Sequence, residues 1–208
     1  LGSPDGPGNL PHYPDSVTEV LAVEPSLTAQ KLAADRVAAV AFPVSFVGLD
    51  GQQLPLDDAS CDTAVCTFTL CTVPDPTAAL DELRRVLKPG GELICCVPFL
   101  QPLHGYPHHY YNMTHTGLRN LFEPAVRVDR VTTPDSTLPI FSLTWILQSW
   151  ANGLPAAARR EFLSLKVGDL LASPVSYLDK SWVRGLSAEK NLELASACVL
   201  HGRKREAM

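Results

Sequence analysis

The stretch DPTAALDELRRVLKPGGELICCVPF, residues 75–99, constrains the fold more than any other part of the chain. Its first part is helical: Asp75 can cap free N–H groups, Pro76 suits the first helical position, and Leu80, Leu83 and Leu87 recur on one face. Pro89, Gly90 and Gly91 then stop the helix and turn the chain. ELICCVPF, residues 92–99, reads as a strand. Upstream, CDTAVCTFTL, residues 61–70, is a second strand, apolar on both faces as expected of a strand buried between helices. Strands alternating with helices imply a parallel sheet with crossover connections, so the fold class is α/β.

The alternation extends through the first half. EVLAVE (19–24) and VSFVG (44–48) read as strands, and SLTAQKLAADRVAAV (26–40) as a helix. Ser26 is its N-cap, and Leu32, Ala33, Arg36, Val37 and Val40 fall on one face, with the Arg36 stem flanking it. The second half is broken by Pro134, Pro139, Pro155 and Pro174. HTGLRNLFE (115–123) is expected to be helical, AVRVDRVTT (125–133) a strand, LPIFSLTWILQSWANGL (138–154) an apolar helix, and ELASACVLHGRK (193–204) a final strand. The 208 residues form one domain on this reading: 1–99 the cofactor-binding half, 100–208 the substrate-side and sheet-closing half with a small helical cap.

A net charge of −5 counts against a broad electrostatic grip on nucleic acid. The apolar run at 138–150 is too short to span a bilayer and contains Ser142, Thr144 and Gln148. None of the six cysteines forms a C-x-x-C pair, and five sit in apolar, strand-like runs, which suits buried thiols in a reducing cytoplasm better than a metal site or a disulfide framework. The expectation is a soluble cytoplasmic protein that uses no metal.

In an open α/β sheet, ligands bind beyond the carboxyl ends of the strands. Glu24 follows the first strand, Asp50 and Gly51 the second, Thr69 and Leu70 the third. Two carboxylates and a hydroxyl thus reach one edge. One carboxylate can accept two ribose hydroxyls and the other an exocyclic amine of a purine. HGYPHHYYNMTH (104–115) follows the next strand and is placed to overhang that edge. Within it His104 and His108 are candidate proton acceptors and Tyr110 a pocket wall. The alternative is a packed loop whose His and Tyr groups bond to the backbone.

Residues 54–94, LPLDDASCDTAVCTFTLCTVPDPTAALDELRRVLKPGGELI, resemble the central segment of class I S-adenosylmethionine-dependent methyltransferases of the type-11 kind. The LP(L/F)-x-D-x-S-x-D lead-in, VPDP and LRRVLKPGG carry the resemblance. It extends upstream through NLPHYPDSVTEVLAVEPS (9–26) and downstream through 98–123. It implies a Rossmann-like three-layer sandwich, S-adenosylmethionine as cofactor, and methyl transfer to a small-molecule acceptor. It also assigns roles. Glu24 matches the residue that binds the cofactor ribose, and Asp50 with Gly51 the adenine side. Thr69 lies in the segment lining the methionine end, and Gly6 and Gly8 fall near the glycine loop.

Members of that family carry a hydrophobic strand and an acidic residue before the glycine loop, then N-x-x-x-Y-P. Asn9, Tyr13 and Pro14 match the last motif. Pro7 separates Gly6 from Gly8, and no strand precedes them in this sequence. The first strand is therefore expected to be missing or truncated. Two alternatives to an active methyltransferase follow: an inactive methyltransferase-like binding protein, and an N-terminally truncated fragment. A short-chain dehydrogenase is disfavoured by the lack of a Tyr-x-x-x-Lys pair.

Overall fold

The computed structural model describes residues 9–24, 26–48, 51–102, 108–153, 173–179 and 197–204, with single positions 156, 160, 163 and 188. In chain order the elements are β1 (Val20–Val23), α1 (Leu27–Leu32), α2 (Ala34–Ala39), β2 (Val44–Gly48), β3 (Cys61–Thr67), α3 (Pro76–Val86), β4 (Leu87–Pro98), α4 (His115–Phe122), β5 (Val126–Thr132), α5 (Pro139–Gly153) and β6 (Ala197–Lys204). The architecture is α/β and Rossmann-like, with helices packed against a mixed set of strands.

The strands fall into two sheets. β1 and β2 pair in parallel, Val20 opposite Val44. The other sheet has the order β3-β4-β6-β5. There β3 and β4 are parallel, and β6 runs antiparallel between β4 and β5. β4 is buried along most of its length, whereas β3 has one partner among the described residues and leaves Val65 exposed. That differs from the expectation of a strand covered on both faces, because β3 stands at a sheet edge.

The core lies on the β4 sheet. Leu80 of α3, Leu118 and Phe122 of α4, and Leu93, Val97, Val126 and Leu200 of the strands are buried together. Leu118 and Phe122 stand one helical turn apart, so a single stripe of α4 enters the core.

α3 is capped as its sequence predicts. Asp75 accepts from the N–H groups of Thr77 and Ala78 at 2.9 and 3.0 Å. It ends at Val86, earlier than the periodicity suggests, because Leu87 already pairs with Cys61. Gly90 takes φ +75°, and a Cβ on Gly91 would meet the carbonyls of Lys88 and Asp62 at 2.9 and 3.0 Å. Both glycines are therefore required by the turn.

Arg85 holds the lead-in in place. Its guanidinium donates to the carbonyls of Leu54 and Leu56 and to Asp58 and Glu82, at 2.7 to 2.9 Å. Glu82 in turn accepts from the Leu54 N–H at 2.8 Å. One fork of donors thus fastens residues 54–58 to α3.

The single helix expected over 26–40 is two, broken at Ala33. Ala33 is fully buried, but Leu32 stays exposed, so the apolar face is narrower than its spacing implies. The Arg36 guanidinium nitrogens Nε and Nη2 are buried, consistent with a stem lying along that face.

Candidate functional site

The candidate site residues follow β1, β2 and β3 in the chain. Glu24 follows β1 and is only 4% exposed. Its Oε1 accepts from the Ser26 N–H at 2.9 Å, and its carbonyl accepts from the Gln30 side chain at 2.8 Å. Ser26 also caps α1 by accepting from the Ala29 N–H. The helix start therefore holds the carboxylate in place. A buried carboxylate needs hydrogen-bond partners, and Ser26 serves one of its two oxygens. A pair of vicinal hydroxyls would serve the other. The residues present thus fit a ribose.

Gly51 lies in the turn after β2, with open space around its Cα. Asp50, Gly6, Gly8 and His104, all singled out in the sequence, lie outside the described residues.

The third strand end is tightly organised. The Asn9 amide donates to Thr67 Oγ1 at 2.5 Å. The Tyr13 hydroxyl is hydrogen-bonded to Asn9, and burial pushes its ionisation above the usual tyrosine value. The Tyr13 ring also lies 6.2 Å from that of Phe42. Residues 9–13 therefore touch β3 at one end and the approach to β2 at the other.

Phe68, the next residue after β3, has φ +52°. Its N–H donates to the Cys96 carbonyl at 2.8 Å, which holds this unfavourable backbone state. Thr69 Oγ1 donates back to the Thr67 carbonyl at 3.2 Å, and the Thr69 carbonyl accepts from Thr72 Oγ1 at 2.8 Å. The turn is closed on itself and presents Phe68 beside Thr69.

Residues 108–111 of the histidine segment lie against this turn. The Tyr110 N–H donates to the Cys71 carbonyl at 2.6 Å, and the Tyr111 hydroxyl to the Pro74 carbonyl at 2.8 Å. The His108 ring sits 5.5 Å from Tyr110, and Tyr110 is partly exposed. His109 behaves as the packed-loop alternative describes: its Nε2 bonds to the Tyr111 carbonyl and to Asn112 Oδ1. Tyr110 is thus held at Cys71, two residues past Thr69, with His108 beside it.

Four cysteines, Cys66, Cys71, Cys95 and Cys96, are buried among the described residues. Cys66 and Cys95 face each other across β3 and β4. A hydrogen bond from Cys95 lowers the Cys66 value, whereas that bond and burial raise Cys95. Burial pushes the Cys71 thiol up to about 11. Among the described residues no group of three His, Cys, Asp or Glu could hold a metal ion, and no helix is long and apolar enough to cross a membrane.

Sequence reasoning passed over a cavity of about 330 Å³ between Phe68, Gln101 and the face of α5 that carries Phe141, Thr144, Trp145 and Gln148. The signal for it was the polar content of an otherwise apolar helix.

Residues 6–95 match the family described as methyltransferase domain. Demethylmenaquinone methyltransferase of Clavibacter sepedonicus is 49% identical over 53 residues, 26% of this chain and 22% of that protein. A ubiquinone/menaquinone biosynthesis C-methyltransferase of Caulobacter vibrioides is 50% identical over 54 residues, 26% of this chain and 21% of that protein. The chain thus spans about a fifth of the length of these curated relatives. Among solved structures, the cyclase SpnF matches with a TM-score of 0.58 at 20% identity, covering 93% of this chain and 69% of that one. A SAM-dependent methyltransferase of Thermotoga maritima matches with a TM-score of 0.53 at 20% identity, covering 95% and 76%.

Proposed function

We infer that this chain, whose residues 6–95 match the methyltransferase domain and whose fold is that of class I S-adenosylmethionine-dependent methyltransferases, transfers a methyl group from that cofactor to a small-molecule acceptor. The observation that carries the reading is Glu24: a buried carboxylate at the end of a parallel strand, oriented by the Ser26 N–H.

S-adenosylmethionine, when bound, supplies a methyl group already activated on a sulfonium. The chain's own residues then have three tasks. Glu24 holds the ribose, with Gly51 and Asp50 on the adenine side. The turn at Thr67–Thr69, braced by Asn9, supports the methionine end. His108 takes the proton that a hydroxyl or amine acceptor releases, and Tyr110 walls the acceptor. Alignment of acceptor and methyl group can account for much of the acceleration.

The two quinone-pathway relatives support an acceptor of small-molecule size. The cyclase among the fold neighbours favours a second reading, a relative that uses this fold without methyl transfer.

The test is calorimetric titration of the chain with S-adenosylhomocysteine, alongside Glu24→Ala. The wild type is expected to bind and the variant to lose binding by at least about tenfold, the scale of one charge-assisted hydrogen bond. A folded wild type that does not bind would overturn the reading. His108→Ala is expected to keep S-adenosylhomocysteine affinity and lose turnover.

A further inference from the structure

We propose that the outer face of β5 and β6 holds a binding site for a phosphate dianion, free or carried as a phosphomonoester, clamped between the guanidinium groups of Arg127 and Arg203. The site is independent of methyl transfer.

Strand register places the clamp. Arg127 of β5 is directly opposite Arg203 of β6, and Arg130 is opposite His201. Leu200, opposite Val131, belongs to the buried core. Side chains alternate between the two faces of a strand, so Arg127, Arg130, His201 and Arg203 share the face turned away from that core. Like charges directly opposite each other are destabilising in a sheet, and a carboxylate at either position would be the stabilising choice.

The carboxylates on this face are Asp129 and Glu92. Asp129 is the extra residue where the register shifts between Val128 and Arg130, and such a bulge re-aims a side chain. Its Oδ1 accepts from Arg127 Nε at 2.9 Å, and its Oδ2 lies 3.9 Å from Arg203 Nε. Both guanidinium groups are thus approached through Nε. Their Nη groups have no hydrogen-bond partner among the described residues, and the two side chains are 65% and 62% exposed. Glu92 of β4 is opposite Arg203 on its other side, but its Oε1 turns to His201, 3.5 Å from Nδ1. Arg130 has no ion pair among the described residues.

Charge and shape select the ligand. Three guanidinium groups share one carboxylate, Asp129, and the excess is that of a dianion. The excess is local, since the whole chain carries −5. Guanidinium forks match phosphate oxygens in pairs, whereas a singly charged carboxylate would leave one arginine over.

The clamp is also distant from Thr69. Glu92, opposite Arg203, comes four residues before Cys96, the partner of Thr67. At about 3.3 Å per residue, that is about 13 Å along β4 from the strand end.

The experiment titrates the full chain with inorganic phosphate by calorimetry at pH 8 and constant ionic strength, with acetate as the singly charged comparison. Phosphate is expected to bind at least about fivefold more tightly than acetate. Arg127→Gln and Arg203→Gln are each expected to weaken phosphate by about fivefold or more. Arg203→Lys should weaken it nearly as much, because an ammonium lacks the paired donors. Arg119→Gln, on α4, should leave it unchanged. Two further arms distinguish the source. Glycerol 3-phosphate binding with the affinity of inorganic phosphate supports a soluble phosphomonoester. Binding to vesicles of phosphatidylcholine and phosphatidic acid, lost in Arg127→Gln, supports a lipid headgroup. Phosphate bound no more tightly than acetate, unchanged in both glutamine variants, or fully retained in Arg203→Lys would overturn the proposal.

Discussion

The side chain of Asn9 donates to the hydroxyl of Thr67 at 2.5 Å, across 58 residues of chain. Thr67 is the last residue of β3, so this bond sets where residues 9–13 lie against the strand end. Asn9→Ala and Thr67→Val are each expected to lower stability by about 1 kcal/mol. The double variant should cost less than the two together, since both remove one bond. Urea unfolding of the four proteins measures this, and strictly additive losses would show that the bond contributes nothing.

Backbone strain at Phe68 can be read from two replacements. Both Phe68→Ala and Phe68→Gly empty one wall of the cavity. Only glycine relieves the positive φ, so the glycine variant should be the more stable by about 1 kcal/mol. Thermal unfolding of the pair is the measurement, and an alanine variant of equal stability would mean that residue 68 is unstrained.

Glu82 gives an acid-side signature. Hydrogen bonds from Arg85 and from the Leu54 N–H hold its carboxyl down at about 2, against 4.5 ordinarily. A lowered carboxyl contributes stability that is complete above about 4.5 and disappears as pH falls through about 2. Glu82→Gln is therefore expected to lower the melting temperature at neutral pH. The gap to wild type should close across that acid window, and a gap constant with pH would refute the assignment.

Cys71 gives the alkaline counterpart. Its thiol is pushed up to about 11 from 9.0, chiefly by burial. An acid whose value is raised by folding contributes stability fully present below about 9 and lost as pH rises through about 11. Cys71→Ala should therefore lose less stability relative to wild type at pH 10.5 than at pH 8. Iodoacetamide at pH 8 should label Cys61, which is half-buried, while Cys71 and Cys95 stay unlabelled until the chain is denatured. Mass spectrometry of peptides reads the labelling, and prompt modification of Cys71 would contradict it.

Much of this fold was legible because local chemistry and tertiary packing agree. β2 occupies Val44–Gly48 as its residues predict, and α3 begins at the Asp75 cap. Disagreement arose where a distant contact decides. Helix propensity carries α3 past Val86, but pairing of Leu87 with Cys61 claims that residue for β4. Leu32 lies at core spacing and is exposed, because the break at Ala33 turns the chain there. The strand-end positions of Glu24 and Thr69 follow from the α/β rule alone. The cavity does not. Thr144 and Gln148 stand out in an apolar run, but the cavity they line is completed by Phe68 and Gln101, which come from other elements. No periodicity within α5 points to those partners.

The insertion of β6 between β4 and β5 has a consequence for how the chain is made. Each βαβ unit can close from neighbouring residues. β6 cannot: the Lys204 ammonium donates to the Leu87 carbonyl at 2.6 Å from 117 residues away. During synthesis, β4 and β5 leave the ribosome well before the strand that joins them, and contacts this remote in sequence form slowly. The nascent chain must therefore wait, with one edge of its most buried strand open, until β6 arrives. That interval is when a chaperone would be needed most.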